Sequence, residues 1–500
     1  MRIVAAFLML PVAVSAPACS PSGDDSTPGT CTNQSCAIDL CVTQGYEGGR
    51  CDPTLGCVCI GIRDPGNGCV DATCASACRG YVGASGGACG PDGRCRCTGG
   101  PPDGGTDDGD AWIPPGRASA WGVVMGPGAL FPVSRAVVYA ARSGYPIEPI
   151  PEGNYCPRCL DLGSIPNTVS EPDGYFNLTG LSRGDWTLVV QKGQFRRIRL
   201  IRIDADDQTL EVPTDYTTLP SRHDPGGGDD IPRIAVALGS YDRMQDIFAK
   251  VGLAALSPDG TQALLDRTTD LMFDIYDNGG GGGGRYPSFG TLLTDPGRLA
   301  QYQIIFIPCS GSSNDSHLRN ATVRENIKNW VAAGGKWYVA DWSYDFVEQV
   351  FPDAMDMYGN DSEIGAADTT PSYDGPGRVV DPDMAAWLRA MGHNPDSVLF
   401  REIFDNICGL GTWSGVNEDG DTVSITPDKW AEGPHLQNRC GSGDYPYTIS
   451  FPYGCGRVLF TTYHSVGGMG GSHEGLFEQE KILFYLVMEI GVCTDEIILI

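Results

Sequence analysis

The chain has 500 residues, 41% of them hydrophobic, which is material for several cores rather than one. Its 62 acidic residues against 34 basic ones leave a net charge of -28, and a surface of that sign repels nucleic-acid phosphates and anionic lipid head groups. This argues against nucleic acid as a partner, and after the N-terminus no apolar run reaches the roughly 18 residues that a membrane helix needs.

Residues 1–18, MRIVAAFLMLPVAVSAPA, combine Arg2, an apolar stretch from Ile3 to Val14, and small residues at Ala16 and Ala18. This is the pattern of a secretory signal cut before Cys19. A cysteine directly after the cut resembles a bacterial lipoprotein site, which implies lipidation of Cys19, an outer-membrane location and membrane contact through the lipid anchor only. The alternative is secretion with Cys19 unmodified. Residues 19–30 lack apolar content and read as a tether.

Twenty cysteines in an exported chain imply disulfides, and thirteen of them precede residue 100. Two copies of a Cys-rich repeat follow the tether. Residues 31–60 carry Cys31, Cys36, Cys41, Cys51, Cys57 and Cys59; residues 69–97 carry Cys69, Cys74, Cys78, Cys89, Cys95 and Cys97. Each closes on C-x-C, and each has too few apolar residues for an unaided core, so three disulfides per copy are expected. Gly49-Arg50-Cys51 and Gly87-Ala88-Cys89 resemble the G-x-C signature of insect-type defensins. The resemblance implies the pairs Cys31–Cys51, Cys36–Cys57 and Cys41–Cys59, and the equivalent set in the second copy; the spacing alone leaves fifteen connectivities open per copy.

Residues 98–117, rich in Gly, Pro and Asp, read as a linker. Residues 118–213 switch to short alternating runs, WGVVMG, RAVVYAAR, GYFNLTGL, DWTLVVQKG and FRRIRLIRID, which predict an antiparallel β-sandwich. Asp173-Gly174-Tyr175-Phe176-Asn177-Leu178, with Gly180-Leu181 and Gly184-Asp185-Trp186, resembles the carboxypeptidase regulatory-like domain, which implies an accessory or binding role. Cys156 and Cys159 form a C-x2-C in a loop of this region, read as a disulfide-closed loop. No cofactor is expected; zinc at Cys156 and Cys159 is the alternative, with only half of a tetrahedral set present. Residues 214–230 read as a second linker.

From residue 231 to 500 the periods lengthen. RIAVALGS, LMFDIYDN, YQIIFIPC, KWYVADWS and GRVLFTTYH are short apolar runs; Met244, Ile247, Phe248 and Val251, then Val323, Ile327, Trp330 and Val331, lie on helix faces. The glycines 279–284 lack the Gly-Lys-Ser/Thr of a phosphate loop. Residues 353–450 read as an irregular insertion over one sheet edge; their acidic turn Asn417-Glu418-Asp419-Gly420-Asp421 lacks EF-hand spacing. The alternation predicts an α/β doubly wound, flavodoxin-like domain, so the whole chain is multidomain: disulfide-rich small modules, a β-sandwich and an α/β domain.

The order of YQIIFIPC, a helix ending in Gly334-Gly335, KWYVADWS and GRVLFTTYH resembles the class I glutamine amidotransferase-like superfamily, including its trehalose-utilisation-type members. Active members place a Cys in a G-x-C-x-G elbow and a His-x-Glu after a later strand. The elbow here falls at Asp341-Trp342-Ser343-Tyr344, and Val466 stands where the Glu of a motif built on His464 belongs. The expectation is a degenerate domain with a binding or structural role toward a surface or envelope partner. The competing reading is a hydrolase or amidase with Cys309 or Ser343 as nucleophile and His464 as base. Ser343 also suits a helix N-cap, and Cys309 suits a buried thiol or a disulfide partner, with cysteine parity making it the candidate for the one thiol left over.

Overall fold

The computed structural model describes residues 48–52, 56–60, 86–89, 95–98, 116–157, 159–160, 162–279, 284–310, 312–367, 372–404, 407–416, 422–435, 439–465, 473–489 and 498–499. The chain is mostly β-structure in several sheets, with few helices, and it forms two compact units, Met1–Trp112 and Ile113–Ile500. No helix among the described residues is long and apolar enough to cross a membrane.

In the first unit the two Cys repeats each make one hairpin, in one shared register. Gly48–Asp52 pairs antiparallel with Gly56–Ile60, setting Cys51 opposite Cys57 and Gly49 opposite Cys59. Gly86–Cys89 pairs with Cys95–Thr98, setting Cys89 opposite Cys95 and Gly87 opposite Cys97. Cys19, Cys31, Cys36, Cys41, Cys69, Cys74 and Cys78 lie outside the described residues, and with them the signal, the lipidation and the defensin-type pairings; so do Cys493, glycines 280–283 and the acidic turn at 417–421.

The second unit begins with two sheets. One orders Asp229–Asp230, Phe195–Ile203, Gly184–Lys192, Val137–Arg142 and Asn167–Val169; the other orders Thr209–Glu211, Ala118–Val123 and Tyr175–Leu181. Leu188 and Val190 face the main core while Val189 joins Val137, Tyr139 and Leu162 on the opposite face, so the longest strand is apolar on both sides because both sides are covered. The arrangement is not wholly antiparallel, because Thr209–Glu211 runs parallel to Ala118–Val123. Residues 214–230, expected as a linker, are built into the fold. They include the helical turn Thr214–Thr217 and a strand whose Asp230 makes a 2.8 Å buried ion pair with Arg196.

The largest sheet has nine strands: β1 Ile234–Leu238, β2 Phe273–Asp277, β3 Ile304–Ile307, β4 Lys336–Ala340, β5 Tyr373–Val379, β6 Val398–Ile403, β7 Asp428–Pro434, β8 Asp444–Tyr453 and β9 Gly456–Thr461. They lie in the order β2-β1-β3-β4-β9-β8-β7-β5-β6; the first five are mutually parallel and the remaining pairings are antiparallel. The insertion expected to be irregular therefore extends the sheet, supplying β5, β6, β7 and most of β8. Helices α1 Met244–Lys250, α2 Ala321–Ala332, α3 Pro382–Ala390 and α4 Glu478–Glu489 accompany the strands. Asn320 caps α2 by accepting from the Thr322 N–H at 3.0 Å, and Val323, Ile327, Trp330 and Val331 are its buried face.

One apolar core runs from the sandwich into this sheet: Phe131 stacks on Phe484 of α4 with ring centres 5.5 Å apart, and α1 belongs to the same cluster, whereas α2 belongs to a second. Two disulfides lie in this unit among the described residues. Cys156 joins Cys455, in the turn between β8 and β9, and Cys408 joins Cys440. The Cys156–Cys159 loop and the zinc half-site expected there are thereby corrected, since the Cys156 sulfur is bonded to a residue 299 positions away.

Candidate functional site

Four neighbouring parallel strands, β1, β3, β4 and β9, bring their carboxyl ends to one rim, the usual place for a site in such a sheet. Asp242 follows β1, Cys309 follows β3, Asp341 follows β4 and His464 follows β9. Register sets their heights. Ile307 lies opposite Val339, so two further residues bring Cys309 level with Asp341; Ala340 lies opposite Thr461, three residues before His464. Gly239 lets the β1 end close onto the rim, because a Cβ there would fall 2.3 Å from the Cys309 carbonyl oxygen.

Cys309 Sγ, a carboxylate oxygen of Asp341 and a ring nitrogen of His464 lie within 4.8 Å of one another, and all three residues are buried. His464 Nε2 stands 2.7 Å from Asp341 Oδ2. That is ion-pair distance, so these two atoms are each other's partner; the Cys309 thiol also lies beside the Asp341 carboxyl, and His464 Nδ1 has no hydrogen-bond partner. Asp341 holds φ at 52°, the left-handed region, at the sharp turn where β4 gives way to a 3-10 turn. Asp tolerates that region better than most side chains, and holding it still costs on the order of 1 kcal/mol.

Burial pushes the Asp341 carboxyl up to about 7, against the charge of His464 and with added repulsion from Asp242. Burial alone would lower His464; Asp341 outweighs it, with Asp242 and Glu402 adding, and the net direction is upward. Burial, then the charge of Asp341, drives the Cys309 thiol well above its ordinary value, so at neutral pH it is a thiol rather than a thiolate. Cys309 is the free cysteine among the described residues whose side chains are placed.

Ser343 is buried, and its hydroxyl donates to the Pro308 carbonyl at 2.8 Å, tying the ends of β3 and β4 together. It is not the cap of the following helical turn, Asp345–Glu348, whose N-cap is Tyr344. Aromatic rings cover the rim: Trp342 packs between Tyr241 and Phe404 at 5.7 and 5.1 Å, and Phe404 lies 6.1 Å from the His464 ring. Asp242, which the motifs did not single out, accepts from Ser465 Oγ at 2.7 Å and from the Ser465 N–H at 3.2 Å. Its signal in the sequence is positional, an acid a few residues beyond an apolar strand. Away from the rim, Lys336 is buried at the start of β4 and donates to Gln194 Oε1 at 2.6 Å; burial lowers its pKa to about 7.

No family model and no curated protein matches the chain. Among solved structures, the cytoplasmic protein STM3548 of Salmonella typhimurium is 13% identical, with 47% of this chain and 88% of that one covered at a TM-score of 0.25. The cytoplasmic protein STM1381 of Salmonella typhimurium LT2 is 12% identical, with 52% and 97% covered at a TM-score of 0.26. A cold-adapted β-galactosidase from Rahnella sp. R3 is 12% identical, with 53% and 32% covered at a TM-score of 0.22. At these scores the likeness assigns neither fold nor activity.

Proposed function

We propose that this chain is an exported, lipid-anchored cell-envelope protein whose α/β domain binds a ligand at its rim without hydrolysing it. The Cys-rich modules and the sandwich serve to carry and present that domain, and the partner is another component of the surface or envelope. We read the domain as flavodoxin-like and degenerate within the amidotransferase-like superfamily. Numbered along the chain, the five parallel strands lie in the order 2-1-3-4-5, which is the flavodoxin order and supports the doubly wound reading.

The observation that carries the non-hydrolytic reading is the identity and conformation of Asp341. The strained residue after the central strand, where a nucleophile would be displayed, is a buried carboxyl at φ 52°. The nearest thiol, Cys309, sits one strand away, buried and protonated. The test is alkylation of the native, full-length chain at neutral pH. Cys309 is expected to resist iodoacetamide until denaturant is added, and the chain to turn over no ester or amide substrate. Fractionation of a bacterial host tests the anchor: Cys19→Ser is expected to leave the membrane fraction.

A second reading, the hydrolase or amidase, has one observation in its favour, the approach of Cys309 Sγ and the His464 ring to within 4.8 Å. Stoichiometric alkylation of native Cys309, with hydrolysis lost in Cys309→Ala and His464→Gln, would establish it over the first.

A further inference from the structure

Cys309, Asp341 and His464 present one sulfur, one carboxylate and one imidazole from three consecutive strands of a parallel sheet. Buried polar atoms normally have partners, yet His464 Nδ1 has none, and His464 Nε2 and the Asp341 carboxyl meet only within this trio. The trio is also held in place: Ser343 ties the ends of β3 and β4, and Ser465, next to His464, is bound by Asp242. A positive ion among these donor atoms would give the sulfur, the carboxylate and the imidazole one common partner.

We propose that Cys309 Sγ, the Asp341 carboxylate and the His464 imidazole form a binding site for a divalent metal ion of the zinc class, with a further coordination position for water or a ligand atom. A mixed sulfur, nitrogen and oxygen set suits an ion of intermediate softness; calcium and magnesium take oxygen sets and are disfavoured by the thiol. The proposal rests on the reading of this rim as a ligand pocket and names the chemistry that would recognise the ligand, an electron-pair donor able to take the remaining position. On binding, the Cys309 S–H bond breaks, its electron pair forms the sulfur–metal bond and the proton leaves to solvent; a proton on the Asp341 carboxyl or on the ligating nitrogen of His464 leaves in the same way, and nothing is oxidised or reduced.

The full chain, with disulfides intact, is stripped with a chelator and titrated with Co2+ and then Zn2+. The expected result is one equivalent of Co2+ with thiolate-to-cobalt charge-transfer absorption, displaced by Zn2+. Cys309→Ser should lose that absorption, and His464→Gln should weaken binding by about 100-fold or more, beyond the effect of removing an outer-shell partner. Should these variants fail to fold, X-ray absorption on the zinc-loaded wild type decides. One sulfur at about 2.3 Å with nitrogen or oxygen at about 2.0–2.1 Å is expected. No bound equivalent, an absorption that survives Cys309→Ser, or an all-sulfur shell overturns the site. Hydrolytic turnover by the metal-loaded chain would instead sink the non-hydrolytic reading and leave the metal site standing.

Discussion

His464 Nε2 and Asp341 Oδ2 stand 2.7 Å apart at the ends of two adjacent parallel strands, both residues buried. Both bind protons more tightly in the folded chain than in the unfolded one, so both give a stability that falls as pH rises. For Asp341, the cost of ionising a buried carboxyl develops from about pH 4, its unfolded value, to about 7. For His464, the stabilising charge is complete below about 6.5 and is lost as pH climbs through its raised folded value. In chelator, Asp341→Asn should therefore flatten the pH dependence of the unfolding midpoint between pH 4 and 7; an unchanged slope would mean that the pair does not titrate with folding.

Lys336 gives the opposite sign. Its folded pKa is lowered to about 7, so at and below that pH a buried ammonium opposes folding, and the opposition fades as pH rises from about 7 toward 10.4. Lys336→Met removes the charge and leaves Gln194 Oε1 without its donor, which offsets part of the gain. A net stabilisation of a few kcal/mol at pH 6 that shrinks toward pH 10 is expected from denaturant titrations of the two chains. Equal effects at both pH values would refute the buried charge.

The Cys156–Cys455 bond spans 299 residues, and a crosslink of that separation removes much of the entropy of the unfolded chain. The double variant Cys156→Ala, Cys455→Ala is expected to lose up to about 5 kcal/mol on the chain-entropy account. Peptide mapping of the unreduced wild type should recover the 156–455 crosslinked peptide. A 156–159 pair in its place would contradict the structure.

Ser343→Ala should behave as a structural variant. It removes the donor to the buried Pro308 carbonyl, a loss of about 1–3 kcal/mol, and creates no change in labelling by serine-directed probes, because Ser343 is not displayed as a nucleophile. Loss of probe labelling in this variant would reopen the serine version of the hydrolase.

The strands that form the rim were legible because parallel strands covered on both faces read as unbroken apolar runs: IIFI of β3 is wholly buried, and α2 announces itself through Val323, Ile327, Trp330 and Val331. The strands of the insertion were not. β5 contains Pro376 between two glycines and β8 contains Pro446 and Pro452, residues that argue against a strand, and both strands carry register shifts where the ladder is interrupted. The rim itself was half legible. Strand ends located Cys309 and His464, but the left-handed turn at Asp341 and the reach of Asp242 depend on sheet register, which a sequence does not display residue by residue.

The staple between Cys156 and Cys455 also orders events once the chain meets an oxidising compartment, where disulfides form. Cys159, three positions away, can meet Cys156 by local chain motion, whereas Cys455 must be brought from 299 positions away. The native bond is therefore a late one, reached by thiol–disulfide exchange out of an earlier local pair whenever that pair forms. Maturation of this chain is expected to slow where disulfide isomerisation is withheld, with the 156–159 species accumulating as the trapped form.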